Sequence, residues 1–564
     1  MGAARGAGDL PGEDPAHPRR ARRGRAVRVA RGVHDAGRGH AQADARPRGL
    51  VAPGRGGRLV PALERARISN EADVRRAGRG EGAVGAGRVR GELAGRGGRE
   101  GGVGEGGVQT PEAQHHDTTV RIERLAVENF RCFERTSLSF QAGLAVLIGK
   151  NGAGKTTLLD AIATALAGWL VNLSHDERGF VMGSAIVGSA IVGSAPLGWS
   201  LSPSDVRVAR IDKAGITTFE PQFPARIQAE LRLSGELFGS GVERTPPGSV
   251  GWKVDSSLVD SATVMREAVQ NGLDVTLPLV AYYGTDRTWR SGQEPSAKRD
   301  DLSRLAGYAG CLEPTTDLSS VRSWFRRMEL LALQDGRTPP VLEASRRAIL
   351  ACLDGFDLVR YDARLDDLAA RSTTTGLFLA FAQLSAGQKN LLGMVADMAF
   401  RAATLNPHLG ADAAEQTPGI VLIDEIELHL HPAWQRRVIP DLRRAFPKVQ
   451  FIITTHSPQV LSEVPTESVI VLDDSQAYHP AAPTEGRDSN SILFEVLGVS
   501  PHPKETVAEL EAIAHLIDDG NDAEARKRLD ALAERLTERD PEVSRLRGIL
   551  DVVERIDAGD HEGA

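Results

Sequence analysis

Residues 149 to 157 read Gly-Lys-Asn-Gly-Ala-Gly-Lys-Thr-Thr, the spacing of a phosphate-binding loop. Each residue type has a chemical reason to be there. Glycines at Gly149, Gly152 and Gly154 let successive backbone N–H groups wrap a phosphate, and a helix starting at Lys155 would add its positive end. Lys155 reaches β- and γ-phosphates and the Thr156 hydroxyl can ligate Mg²⁺, with Asn151 and Thr157 flanking the cradle. Far downstream, Ile420-Val-Leu-Ile-Asp424-Glu425 ends an apolar run in two carboxylates. Alone, such a pair is most often a helix start. Beside a phosphate loop it fits hydrolysis, with Asp424 as a metal ligand and Glu425 polarising the attacking water.

Two shorter segments fall in order around that pair. Leu384-Ser385-Ala386-Gly387-Gln388 precedes it and Thr454-Thr455-His456-Ser457-Pro458 follows it. Read singly, Ser385 is a helix N-cap and His456 an incidental residue after a strand. Read in order with the phosphate loop, they resemble the signature and switch-histidine motifs of ABC-type ATPases, with Ala386 where the family usually has glycine. Asn129-Phe-Arg131-Cys132-Phe133 and Asp424-Glu-Ile-Glu-Leu-His-Leu-His431-Pro432 narrow the resemblance to the RecF/SMC/overcoming-lysogenization branch. Within it, the chain looks most like the stand-alone ATPases of bacterial Septu and retron defence systems, from about Val120 to Asp474 and more loosely beyond.

The resemblance implies a P-loop NTPase with an ABC-ATPase-like head that binds and hydrolyses ATP with Mg²⁺. Ser385, Gly387 and Gln388 would contact nucleotide held by the other protomer, so ATP is sandwiched between two heads of a homodimer or higher oligomer. His456 would meet the γ-phosphate and share the catalytic role with Glu425. Arg131 would touch a nucleotide phosphate, and Glu427 to Pro432 would couple the two sites. The family also implies an HNH nuclease or retron partner, and leaves DNA binding open. Tyr282-Tyr283-Gly-Thr-Asp-Arg287 resembles a family segment to which no role attaches.

The elements required to hold these residues are legible as an α/β pattern. Ile122 to Phe130, Ser137 to Phe140 and Leu144 to Ile148 read as strands, followed by a helix over 155–171. Short strands such as Ala225 to Leu233 follow, then an inserted helical region over about 300–353. Phe356 to Asp362 reads as a strand, 386–405 as a helix and 406–418 as a polar loop. Ile420 to Ile423 and Val449 to Thr454 are near-continuous apolar runs, as in parallel strands covered on both faces. Three amphipathic helices close the chain, at about 505–516, 523–536 and 541–556. The expected domains are a tail (1–118), an ATPase domain (119–475) and a helical C-terminal segment (476–564) able to dock a partner. Leu510, Ile513, Leu529, Leu532, Leu546 and Leu550 give those helices apolar stripes. The bland expectation is that most of them pack one helix on the next; any remainder would form a groove for the partner.

The first 117 residues carry 26 Gly, 22 Arg and 14 acidic residues, with no Lys, Cys or aromatic residue and a single Ile, Ile68. Such a segment has too little apolar surface to offset the entropy of ordering and reads as a disordered tail. Its charge of +8 leaves −15 for residues 118–564 behind an overall −7. Electrostatic nucleic-acid binding is a second reading, weakened by the interspersed acids and the missing aromatics. The abrupt change near Val120 favours a third, in which translation starts there and the upstream part is a mis-assigned extension.

Cys132, Cys311 and Cys352 lie far apart, which argues against a disulfide framework or zinc site. His429 and His431 have no Cys or third His nearby, which argues against a metal site, and Arg436, Arg437, Arg443 and Arg444 read as a solvated helix face. Phe180 to Leu201 is uncharged and long enough to span a bilayer, yet 9 of its 22 residues are Gly, Ser or Pro. With its short tandem Gly-Ser-Ala-Ile-Val repeat it reads as a loop, and the expected location is the cytoplasm. Three rivals are a transporter ATPase, an overcoming-lysogenization-type nuclease and a RecF/SMC-like repair ATPase that binds DNA directly. No membrane segment is fused to the head. The residues after Asp474 contain no Glu-Gly paired with an Asp-x-Asp, and a salt-dependent DNA titration separates the third rival.

Overall fold

The chain divides into two units, Met1–Gly106 and Gly107–Ala564. A computed structural model describes residues 119–173, 200–213, 216–246, 248–287, 303–314 and 318–560, all in the second unit, with side chains as far as 555. The expected disordered tail, the start of the inserted region and the tandem repeat lie outside the described residues.

The chain opens with β1 (Val120–Phe130), β2 (Phe133–Ser139) and β3 (Leu144–Gly149), then the phosphate-loop helix α1 (Lys155–Leu173). An exposed hairpin, β4 (Val208–Lys213) and β5 (Ile216–Pro221), precedes β6 (Ala225–Leu233), β7 (Glu236–Thr245) and β8 (Ser249–Val254). Next come α2 (Ser256–Gln270), β9 (Leu279–Tyr283), α3 (Ser319–Asp335) and α4 (Pro340–Cys352). A small sheet of β10 (Phe356–Asp362), β11 (Asp367–Ser372) and β12 (Phe378–Ala380) leads into α5 (Ala386–Leu405). The stretch expected as a polar loop holds a 3-10 turn and α6 (Ala413–Gln416). There Asn406 is fully buried and fastens the backbone of Leu277 through both amide atoms, at 2.7 and 2.8 Å.

Beyond it lie β13 (Gly419–Ile423), α7 (Pro432–Gln435), α8 (Val438–Ala445), β14 (Val449–Thr454) and α9 (Pro458–Leu461). The chain then runs through β15 (Val469–Asp473), β16 (Gln476–Tyr478), α10 (Ser489–Glu495), α11 (Lys504–Asp518), α12 (Asp522–Leu536) and α13 (Pro541–Asp560).

Two sheets sandwich α1. One is antiparallel in the order β2-β1-β6-β7-β8, and the other runs β16-β15-β3-β14-β13-β9. In the second, β15, β3, β14, β13 and β9 are parallel. Its strands are apolar on both faces for a visible reason. Leu144, Val146 and Ile148 of β3 join one core with helices α4, α5 and α8. Ala145 and Leu147 join another with α1 and the antiparallel sheet. Period-two alternation thus assigns neighbours to different cores while both stay buried. The same sandwich explains α1, which is apolar enough to cross a membrane but has 78% of that window buried in protein. Each Leu it buries fully contributes about 1.5–3 kcal/mol.

The C-terminal helices α11, α12 and α13 form a third core. All six stripe residues are inside it: Leu529 and Leu550 are completely buried and Leu510, the most open, is 8% exposed. Between α11 and α12 a cavity of about 500 Å³ remains, lined by Ala508, Ala512, Ile513, Ala531 and Leu532 with Glu509, Arg528 and Arg535 at its rim. Three helices close on one another because each contributes a stripe that the other two cover.

Candidate functional site

Parallel pairing brings four strand ends to one edge of the sheet. Ile423 of β13 lies opposite Ile453 of β14 and Tyr283 of β9, and Thr454 lies opposite Leu147 of β3. The loops leaving those ends are the phosphate loop, Asp424 to Pro432, Thr455 to Ser457 and Gly284 to Arg287. This is the edge at which α/β sheets bind ligands.

Asp424, 1% exposed, is the centre. Thr156 Oγ1 donates to its Oδ2 at 2.7 Å, and Thr454 Oγ1 donates to its Oδ1 at 2.5 Å. Lys155 Nζ donates to the Gly149 and Lys150 carbonyls at 2.9 and 3.0 Å. Burial holds its ammonium below the usual lysine range, opposed by the charges of Asp424, Glu425 and Glu427. Gly154 is required sterically: a Cβ there would lie 2.4 Å from the Phe133 ring and 2.8 Å from Cys132 Sγ. Asn151 and Gly152 are exposed at the tip, and Thr157 is half-buried behind it.

Glu425 sits in the left-handed region at φ 47°, a conformation costing a non-glycine residue of order 1–3 kcal/mol. Three bonds hold it there. Its N–H donates to Thr454 Oγ1 at 2.8 Å, and its carbonyl accepts from Arg287 Nη2 at 2.7 Å and from the Leu428 N–H at 2.9 Å. Glu427 ties the same turn to the switch segment, accepting from Thr455 Oγ1 at 2.7 Å and from the His456 N–H at 2.6 Å. His456 lines a cavity of about 300 Å³ with Gly149 and Lys150. His431 Nδ1 accepts from the Ala433 N–H at 3.3 Å, so it caps α7.

Ser385 caps α5 as its residue type requires. Its Oγ accepts from the Gln388 N–H at 3.3 Å while Gln388 Oε1 accepts from the Ser385 N–H at 2.9 Å, a reciprocal capping box. Gly387 has a further reason to be glycine: a Cβ would lie 2.5 Å from the His429 carbonyl oxygen. Ala386 points outward, exposed, where a methyl group meets no such wall. The first turn of α5 therefore packs on the loop that follows Glu425.

Arg131 stands apart from this cluster. Phe130 pairs with Phe133 across a two-residue hairpin, with Arg131 at φ 47°. Its guanidinium meets Asp160 at 2.5 Å and Asp205 at 2.9 Å, so a phosphate would compete with two carboxylates for it. Asp160 also accepts from the Tyr282 hydroxyl at 2.8 Å.

Four contributors escaped the sequence reading. Thr454 was visible only as the first letter of the switch segment, and Asp160 only as a polar residue in an apolar helix. Asn390 reads as an ordinary polar position five residues after Ser385. Arg287, 5% exposed, belonged to the Tyr282 segment, whose only signal was resemblance.

Two domain models match the chain, one described as "AAA domain, putative AbiEii toxin, Type IV TA system" over residues 289–462 and one as "AAA domain" over 124–217. The retron Ec83 probable ATPase of Escherichia coli is 24% identical over 456 residues, covering 68% of this chain and 78% of that one. The retron Vc95 probable ATPase of Vibrio cholerae is 22% identical, covering 72% and 85%. The Septu protein PtuA of Bacillus thuringiensis is 26% identical over 34% of this chain and 52% of its own. The SMC head domain from Thermotoga maritima aligns with a TM-score of 0.33 at 16% identity, over 65% of this chain and 99% of that one, too distant a likeness to argue from. Motif order, matched domains and relatives agree that this chain is a P-loop ATPase homologous to the retron ATPases and to Septu PtuA.

Proposed function

We propose that the chain is the regulatory ATPase of a bacterial antiphage defence system and works as an ABC-type, nucleotide-gated dimer in the cytoplasm. The observation that carries the hydrolytic part is the bonded trio Thr156, Asp424 and Thr454, with the Glu425 carboxylate one residue further and free of hydrogen bonds among the described residues. The glycine-rich tip is open, and Lys155 can exchange two carbonyl partners for phosphate oxygens. Thr156 and Asp424 present two oxygens of the kind Mg²⁺ takes. Bound there, the ion would neutralise charge on the β- and γ-phosphates.

The residues divide the work. Backbone N–H groups from Gly149 to Thr156 hold the phosphates, with Asn151 and Thr157 beside them. Glu425 accepts a proton from the attacking water, and His456 donates toward the γ-phosphate. Ser385, Gly387 and Gln388 are presented to the nucleotide of a second protomer and close its site. Only the difference in ATP affinity between open and closed pairs can do work on a partner. The retron relatives favour a retron component as that partner and the motif resemblance an HNH nuclease, and the net charge of −15 on residues 118–564 argues against DNA as the direct ligand.

Titrating ATP into Asp424→Asn with Mg²⁺ and with EDTA tests the site. The natural chain should bind more tightly with Mg²⁺ and the variant should lose that difference. A variant with full Mg²⁺ dependence would remove Asp424 from the site. Expressed with its flanking genes, the natural chain should reduce phage plaquing and Glu425→Gln should not; equal plaquing would contradict the defence role.

A further inference from the structure

The buried guanidinium of Arg287 lies at this edge, and the hydrolytic scheme leaves it unused. It arrives from the loop after β9. Its Nε donates to Asn390 Oδ1 at 2.7 Å, and its Nη1 donates to the Gly284 carbonyl at 2.8 Å and the Asp424 carbonyl at 2.5 Å. Its Nη2 takes the Glu425 carbonyl at 2.7 Å. One fork thus grips the backbone on both sides of the Asp424–Glu425 peptide.

Asn390 extends the grip to α5. It is 5% exposed, and while its Oδ1 accepts from Arg287 its Nδ2 donates to the Leu428 carbonyl at 2.8 Å. With the close approach of Gly387 to His429, the first turn of α5 is fastened to the 424–430 segment at three levels. A second tie lies deeper, where Asp397 of α5 accepts from the Tyr283 hydroxyl at 2.8 Å and from Arg401 Nε at 2.7 Å. Burial brings the Arg287 guanidinium down to about 10, against the opposing charges of Asp424, Glu425 and Glu427. A buried cation with this many partners fixes geometry because losing any of them is costly.

We infer that Arg287 and Asn390 form a polar pin that makes the Ser385 cap and the Glu425 turn one rigid piece. Arg287 is a positioning residue: it sets where the Glu425 carboxylate lies by holding that residue in its left-handed conformation. Through Asn390, a displacement of Ser385 as it meets nucleotide on the opposite protomer moves Glu425 of its own protomer, so each composite site senses the occupancy of the other. The inference rests on the reading of Glu425 as the base.

Two variants of the full chain test it. Arg287→Lys keeps the charge and loses the fork, whereas Asn390→Asp keeps the acceptor for Arg287 and loses the donor to Leu428. Each should lower kcat by about 10- to 100-fold, the scale of a displaced catalytic group, with ATP affinity within about threefold of the natural chain. Combined with Glu425→Gln, neither should lower kcat further, since both act through that carboxylate. A kcat within twofold in a variant with an unchanged melting temperature would overturn the pin, as would an effect that multiplies that of Glu425→Gln. Loss of folded protein in both variants would make the pair a folding element and also overturn it. Full turnover in Glu425→Gln alone would instead overturn the reading of the base, and this inference with it.

Discussion

The nucleotide edge and the C-terminal bundle of α11, α12 and α13 are stabilised in opposite ways. At the edge, polar groups from distant parts of the chain satisfy one another around the buried Asp424, Thr455, Arg287 and Asn390: Thr156 with Asp424, Glu427 with Thr455, and Arg287 with Asp424, Glu425 and Asn390. In the bundle the polar pairs lie outside, as where Arg526 meets Asp551 and Glu554, and an apolar core does the holding. Exposed ion pairs are worth about 0–1 kcal/mol each, so the bundle tolerates surface change. The edge does not, because removing one partner strands another in a dry site. Chemistry needs the second kind of construction, which holds groups in one arrangement.

The contrast breaks most sharply at Lys155. Lys155→Ala should abolish nucleotide binding and turnover, whereas Glu425→Gln should bind ATP and hydrolyse it roughly 10²- to 10⁴-fold more slowly, the scale of a lost general base. Equilibrium binding and single-turnover hydrolysis on both variants check this, and unimpaired turnover in Glu425→Gln removes it from the mechanism. Next in size is complementation. A mixture of Lys155→Ala and Ser385→Arg protomers retains one intact composite site of two, so two inactive parents should recover part of the natural rate. Mixtures as inactive as the parents, with heterodimers present, would contradict the shared site.

Deleting residues from Glu505 onward should change ATP hydrolysis by less than about twofold, because α11, α12 and α13 pack on one another in a core of their own. Loss of turnover would make the bundle part of the head. The smallest effect on activity belongs to Leu529→Ala, which empties a completely buried position. It should cost the bundle about 2–5 kcal/mol, seen as faster amide exchange over 504–560, with ATP hydrolysis unchanged. Slower exchange at the phosphate loop than in the bundle of the natural chain would sharpen the same comparison.

What the sequence showed and concealed follows the same division. The phosphate loop, Asp424, Glu425 and the switch segment were legible because each is contiguous and follows an apolar strand. Ser385 was legible twice over, as a cap and as a motif. Arg287 and Asn390 carried no local sign, since their partners are near only in space. Arg131 looked like a phosphate ligand by resemblance, yet the hairpin from Phe130 to Phe133 turns it toward Asp160 and Asp205. In the bundle the stripes and their packing on one another were legible, but the extent of cover was not, because how much of each stripe is covered depends on three helices at once. The helical turns within 406–418 were hidden by polar composition, which Asn406 offsets by bonding inward.

In this scheme ATP joins two heads and hydrolysis at Glu425 releases them. Light scattering of Glu425→Gln during gel filtration tests it most directly. With Mg²⁺ and ATP the variant should run at twice the mass of its ATP-free form, or as a further doubling of any resting oligomer, and Ser385→Arg added to the same chain should abolish that step. An unchanged mass in Glu425→Gln with ATP demonstrably bound would contradict ATP-driven joining of the heads.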